Sequence, residues 1–133
     1  MDDFKAHESH TVELCMASTR AEYAGRLDEA RALSRQAWES ATNVGDACVA
    51  AHYVARYEPD LAERLRWNEI ALERAEAAPP QQIAVWLPSL CVNLGRAHEA
   101  LGHEAQADHY FKRAAELGLP HDPDGPDHLH AIS

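Results

Sequence analysis

Residues 93–120 have the sequence NLGRAHEALGHEAQADHYFKRAAELGLP, which predicts two short helices folded back on each other around Gly102. Small residues are spaced where the two helices must approach closely, and larger residues where the gap must be filled. The small ones are Gly95, Ala107 and Ala114, and the larger ones are Leu94, Leu101, Phe111 and Leu117. A helical hairpin of this size cannot bury its apolar faces alone, so the stretch predicts neighbouring units built in the same way.

Length and composition agree with an all-helical fold. The chain has 133 residues, enough for one domain with its own core, and we expect residues 1–133 to form a single domain. Ala, Leu and Glu are abundant and favour helix. No run alternates apolar and polar residues with β-branched enrichment, so no sheet is predicted.

The charge excludes two classes of partner. The formal net charge is −10, and only two of the twelve basic residues are lysines. A nucleic-acid ligand needs concentrated positive charge, so none is expected. An anionic membrane is excluded for the same reason. The acidic start, the lack of a long apolar run and three widely spaced cysteines without a CxxC motif predict a cytoplasmic protein with reduced, buried thiols.

Breaks in the helical pattern divide the chain into units. They fall at Gly25, Pro59 and Gly102, separated by 34 and 43 residues, and predict units at about 11–44, 45–78 and 88–120 with an acidic, His-rich tail at 121–133. The extra residues lie around Pro79 and Pro80. The next segment is either a separate turn before a helix that starts at Pro88, or one long helix kinked there. We favour a lengthened, kinked helix near Ile83–Leu101.

The unit at 88–120 resembles the tetratricopeptide repeat (TPR), here of the small bacterial type. The matching positions are Leu94, Gly95, Gly102, Ala107, Phe111, Ala114 and Pro120. The first unit matches in part, through Ala17, Gly25, Ala30 and Ala37, and the middle unit matches weakly. The resemblance implies a right-handed stack of about three antiparallel helix hairpins. It also implies a scaffold that binds proteins or peptides in a concave groove lined by the first helix of each unit.

By analogy with the family, the groove would be lined by polar side chains of the three first helices. These candidates are Thr19, Glu22, Tyr23, His52, Arg56, Asn93, Arg96 and Glu99, with Cys15 and Cys48 on the same face. Asn93 and Arg96 are of the type that hydrogen-bonds a peptide backbone or a carboxylate. The family's clamp for a C-terminal carboxylate is not expected, because Cys15 and Thr19 stand where it needs basic or amide residues. The alternative is that these side chains simply face water.

Two further functions remain open beside this non-enzymatic binding role. A homodimer could cover exposed aromatic residues, for which Trp38, Trp67 and Trp86 are the candidates. The tail could instead bind a metal through His121, His128 and His130.

No residue pattern indicates an enzyme or a cofactor site. The sequence lacks a GxSxG elbow, a phosphate loop and a dinucleotide motif. His98 and His103 are five residues apart across Gly102, so they would not share one helical face, and we interpret them as packing and turn residues. The three cysteines recur at similar places in the first helices and are interpreted as small packing residues.

Overall fold

The computed structural model describes residues 9–118, apart from the side chains of Gln82 and Ile83. Within that range the chain is helical and contains no strand, so the predicted all-α class is confirmed there. The helices are α1 (His10–Tyr23), α2 (Leu27–Ser40), α3 (Val44–Arg56), α4 (Leu61–Ala77), the short α5 (Pro80–Ile83), α6 (Leu87–Ala100) and α7 (Glu104–Glu116).

Three helices begin at a polar residue that caps them. The side chain of Ser9 accepts a hydrogen bond from Val12 N at 3.0 Å at the start of α1. Asn43 does the same for Asp46 N at 2.8 Å in α3, and Asp60 for Glu63 N at 2.9 Å in α4. Each cap satisfies a backbone N–H that has no partner within the helix, which fixes where these helices start.

The turns after α1 and α6 have the same hydrogen-bonding pattern. Gly25 and Gly102 have φ angles of 81° and 80°, which strain any residue with a side chain. Their amides bond the carbonyls three residues back, and the next amides bond Ala21 and His98 at 2.8 and 2.9 Å. This is a Schellman motif, which ends a helix and reverses the chain. The predicted roles of both glycines as helix stops are confirmed.

The predicted long helix near Ile83–Leu101 is wrong. Two helices occupy this segment, α5 and α6, with a turn at residues 84–86 between them. Pro88 lies in the first turn of α6, where its missing N–H is not needed and its fixed φ suits the helix. Inside a continuous helix the same proline would have removed a hydrogen bond and clashed with the preceding turn.

Sequence-adjacent helices pack most closely, as the pairs α1–α2, α3–α4 and α6–α7. Helix α3 also contacts α1 and α2, while α4 contacts α6, so the pairs are joined in chain order. Most of the buried apolar residues form two clusters. One cluster lies between α1, α2 and α3, and the other lies between α3, α4 and α6. The interior is rich in alanine, which allows close helix contacts.

The closest of these contacts joins α6 to α7 at Gly95. A Cβ atom built there would meet the ring of Phe111, 2.5 Å from Cδ1 and 2.8 Å from Cζ. Carbon atoms normally stay 3.5–4.0 Å apart. The glycine therefore makes room for the aromatic ring, as the spacing of residues 93–120 predicts.

Trp38 and Trp67 form an edge-to-face pair between α2 and α4, with ring centroids 5.1 Å apart. Trp67 is buried, and the guanidinium groups of Arg35 and Arg66 lie 5.6 and 5.2 Å from its ring centroid. Trp38 and Trp86 are half-buried. Of the three tryptophans named for a homodimer surface, Trp67 is therefore not available, and the homodimer itself stays a prediction.

Candidate functional site

A cavity of about 340 Å³ lies between α3, α4 and α6. Six of its ten lining residues are polar or charged, and three of these are arginines. The lining residues are His52, Ala55, Arg56, Leu61, Arg64, Asn68, Asn93, Arg96, Ala97 and Ala100. No carboxylate is among these described residues, although the chain as a whole is strongly acidic. We call this space the basic cavity.

Arg96 is the unusual residue of the basic cavity. Its Nε and Nη2 atoms are shielded from solvent, yet neither has a hydrogen-bond partner among the described residues. Burial lowers the pKa of this guanidinium, and the charge of Glu99 partly opposes that effect. A buried donor without a partner costs free energy, more so when it is charged. The arrangement therefore suits a ligand that brings an acceptor.

Amide groups lie in the same wall. Asn68 is buried and donates from Nδ2 to the carbonyl of Arg64 at 3.0 Å, while Asn93 of α6 is half-buried. An amide both donates and accepts hydrogen bonds, so it can pair with a peptide group or orient a carboxylate. The cavity thus combines charged hydrogen-bond donors with amide groups that can both donate and accept hydrogen bonds.

The other two arginines are already held by protein groups. Arg56 donates from Nε and Nη2 to the two carboxylate oxygens of Glu22, at 3.0 and 3.2 Å. Arg64 donates from the same two atoms to the carbonyl of Glu58, at 3.0 and 2.8 Å. These bonds fix the two guanidinium groups as walls of the cavity, in contrast to Arg96.

A second cavity, also of about 340 Å³, shares Arg56 and Arg64 with the first. Its other lining residues are Glu22, Leu27, Asp28, Arg31, Tyr57, Glu58 and Pro59, from the region where α1 ends and α2 and α4 begin. Three carboxylates and three arginines line it. We call it the neutral cavity because these formal charges balance.

Glu22 is the central acid of the neutral cavity. Besides its bonds to Arg56, it accepts one from the Tyr57 hydroxyl at 3.0 Å. The hydrogen bonds from Arg56 lower the pKa of the Glu22 carboxyl, with burial opposing them. The same carboxylate raises the pKa of Arg56. This network ties α1 to the end of α3.

Glu58 is buried in the turn between α3 and α4, where its carboxylate accepts a hydrogen bond from Arg35 of α2 at 2.8 Å. Its other oxygen accepts one from Asp60 N at 3.3 Å. Glu58 is thus held by an arginine that is not itself among the lining residues of the cavity.

Four of the eight predicted groove residues line the basic cavity, namely His52, Arg56, Asn93 and Arg96. Glu22 lines the neutral cavity instead. The other three are not among the lining residues of either cavity: Thr19 donates to the Cys15 carbonyl at 3.3 Å, Tyr23 is 82% exposed, and Glu99 is exposed. Cys15 and Cys48, predicted on the same face, are buried.

Sequence reasoning missed the contribution of α4. Leu61, Arg64 and Asn68 all line the basic cavity. They are spaced three and four residues apart, which puts them on one face of the helix. The sequence shows this spacing, but the resemblance to the tetratricopeptide repeat implies a groove lined by the first helix of each unit, and α4 is a second helix.

His98 and His103 form an unexpected contact at the turn between α6 and α7. Their Nδ1 atoms are 3.1 Å apart, so one ring donates to the other. His98 also stacks on Tyr110, with centroids 5.6 Å apart and planes within 6° of parallel. Burial lowers the pKa of His98, as does His103, while Glu69 raises it. The interpretation of this pair as packing and turn residues agrees with these contacts.

The described residues contain no group of three or more side chains suited to hold a metal ion. The tail histidines proposed as ligands (His121, His128 and His130) lie outside the described part of the chain. Cys15, Cys48 and Cys91 are buried free thiols, in agreement with their interpretation as packing residues. Burial raises the pKa of Cys15 to about 12 and that of Cys48 to about 11.

Among residues 9–118, no helix has the length and apolar character that a membrane crossing requires. Comparison with protein-family models, with curated proteins and with solved structures finds no match to this chain. The resemblance to the tetratricopeptide repeat therefore stays a prediction, and the geometry of the two cavities carries the functional argument.

Proposed function

We propose that this chain is a non-enzymatic binding module that takes an acidic segment of a partner protein in the basic cavity. The observation that carries the proposal is Arg96, whose two buried nitrogens have no partner among the described residues. A carboxylate of the ligand would accept from this guanidinium, and charge-assisted bonds of that kind are roughly twice as strong as neutral ones. Asn68 and Asn93 would pair with the neighbouring peptide groups.

The charge contrast supports an acidic ligand over a basic one. The basic cavity concentrates three arginines on the surface of a chain with a net charge of −10. A ligand cation there would meet like charges at close range, which is unfavourable. An anionic side chain or a terminal carboxylate would supply the missing acceptor.

The helix arrangement supports a partner that is a peptide segment. The pairs α1–α2, α3–α4 and α6–α7 pack in chain order, and the glycine turns after α1 and α6 are built alike. This is the pattern expected of a right-handed, TPR-like stack of three hairpins, in which successive units present one continuous surface. A cleft between neighbouring units suits an extended or helical segment.

An NMR titration tests the proposal directly. The full chain, labelled with ¹⁵N, is titrated with an uncharged-ended heptapeptide that has a central glutamate among alanines. We expect the Nε–Hε signal of Arg96 and the backbone signals around Asn93 to shift. The same peptide with glutamine at the centre should bind at least tenfold more weakly, as loss of a charged acceptor predicts.

Two variants complete the test. Arg96→Met keeps the aliphatic stem but removes the charge, and should abolish the preference for glutamate over glutamine. Arg20→Met removes one exposed positive charge on α1, outside both cavities, and should leave the preference intact. Equal binding of the two peptides by the unaltered protein, or equal loss in both variants, contradicts the proposal.

A further inference from the structure

We propose that the neutral cavity is a second subsite, and that it takes an uncharged, apolar side chain next to the acidic group held in the basic cavity. The inference rests on the proposed function and deepens it, because it specifies a ligand with two adjoining features. The preferred ligand would have an acidic residue with an apolar residue on one particular side of it. A second acidic residue in place of the apolar one would bind more weakly.

The two cavities adjoin because they share two walls. Arg56 and Arg64 line both of them, and each guanidinium is held by two hydrogen bonds to a protein acceptor. A ligand that fills one cavity therefore lies directly beside the other. The shared arginines are fixed before any ligand arrives, which reduces the ordering cost of binding.

The two cavities differ in the charges of their lining residues, and this difference indicates which kind of ligand group each one suits. Three arginines line the basic cavity without a carboxylate, whereas the neutral cavity has three acids beside its three arginines. Two of those acids, Glu22 and Glu58, already accept hydrogen bonds from Arg56 and Arg35. An anion entering the neutral cavity would meet Glu22 and Asp28, while a cation would meet Arg31 and the two shared arginines. An uncharged group avoids both conflicts.

The lining of the neutral cavity also includes an apolar contact surface. Leu27, at the start of α2, is 56% exposed, and Pro59 is exposed as well, whereas Tyr57 is buried and adds little surface. An exposed leucine gains free energy when another apolar side chain covers it. A volume of about 340 Å³ is larger than any single amino-acid side chain requires, so a leucine would fit.

The test uses heptapeptides in which the central glutamate is kept and one alanine at a time becomes leucine, at each of the other six positions. Affinities for the full chain are measured by NMR titration or by fluorescence anisotropy of labelled peptides. We expect leucine to tighten binding about tenfold on one side of the glutamate and to have little effect on the other side. Replacing the favoured leucine by a second glutamate should remove the gain.

A matched pair of variants locates the effect. Leu27→Ser should remove the gain from leucine without weakening the peptide that has glutamate alone. Leu117→Ser changes another exposed leucine, outside both cavities, and should behave like the unaltered protein. Circular dichroism verifies that both variants keep their helix content.

The outcomes separate the two proposals. One outcome is binding that depends on glutamate and Arg96 but shows no gain from leucine at any position, and another is the same gain in Leu27→Ser as in the unaltered protein. Either result overturns the neutral subsite and leaves the proposed function standing. A second glutamate that binds as well as leucine overturns the subsite as well. Binding that does not depend on glutamate or Arg96, or no binding by any peptide, overturns both.

Discussion

Substitution of Gly95 by alanine tests the packing that joins α6 to α7. The added methyl group would lie 2.5 Å from Cδ1 and 2.8 Å from Cζ of Phe111, well inside a normal carbon contact. The ring must move away, and because it is half-buried it can move only by giving up part of its contact with the neighbouring helix. We expect Gly95→Ala to destabilise the protein.

The magnitude follows from two opposing effects. Overpacking of a helix interface costs about 1–3 kcal/mol. Alanine is favoured over glycine inside a helix by about 1 kcal/mol. The net loss in the free energy of unfolding should therefore be about 1 kcal/mol, and the melting temperature should fall by about 3 °C for a domain of this size.

A double-mutant cycle with Phe111→Ala isolates the contact. Alanine has none of the ring atoms that the new methyl group would meet, so in that background the clash at position 95 is absent. There Gly95→Ala should stabilise the protein by up to about 1 kcal/mol through helix propensity alone. Urea unfolding followed by circular dichroism measures both effects. If Gly95→Ala changes the free energy of unfolding equally in the two backgrounds, to within about 0.5 kcal/mol, the packing argument is refuted.

Three other predictions concern charge and ionisation. Hydrogen bonds from Arg56 lower the pKa of Glu22 in the folded state. They should therefore stabilise the protein fully above about pH 5, and less as the pH falls through the folded pKa. Glu22→Gln should make the free energy of unfolding depend less on pH on the acid side, and an unchanged dependence would contradict this. Burial raises the pKa of Cys15 and Cys48 to about 12 and about 11, so a thiol reagent should label them only after denaturant is added; rapid labelling of the native protein would show that they are accessible. The association rate constant of an acidic peptide should rise from low to physiological ionic strength, because salt screens the repulsion from the chain's net charge of −10. Association rates, measured by stopped flow, that fall as salt is added would contradict this.

Local features of the fold were predictable because local chemistry determines them. A glycine with a positive φ ends a helix wherever it stands, which is why Gly25 and Gly102 were assigned correctly. Pro88 allowed two interpretations, since a proline either kinks a helix or begins one, and only the turn at residues 84–86 decides between them. The burial of Trp67 depends on Trp38 and Arg35, which belong to another helix, so the α4 sequence alone does not reveal it.

The candidate site was predictable only in part, for a similar reason. His52, Arg56, Asn93 and Arg96 were predicted by analogy with the tetratricopeptide repeat, and all four line the basic cavity. What decides their roles comes from elsewhere in the chain. Glu22 lies 34 residues before Arg56 and pairs with it, whereas Nε and Nη2 of Arg96 have no hydrogen-bond partner among the described residues. The sequence shows the arginines but not which one remains unpaired.

The difference between these arginines bears on how such a module could recognise a ligand. With a net charge of −10 the chain repels an acidic ligand at long range, so diffusion is not steered towards the basic cavity. Recognition must then arise at contact, where the unpartnered nitrogens of Arg96 gain an acceptor in a partly dry site and the electrostatic attraction is less screened. A site of this kind would favour selectivity over speed, because an anion that cannot reach Arg96 does not gain its charge-assisted hydrogen bonds. In the proposed mode of binding, Arg56 and Arg64 would serve that selectivity by staying rigid, and they would separate the acidic group of the ligand from its apolar side chain.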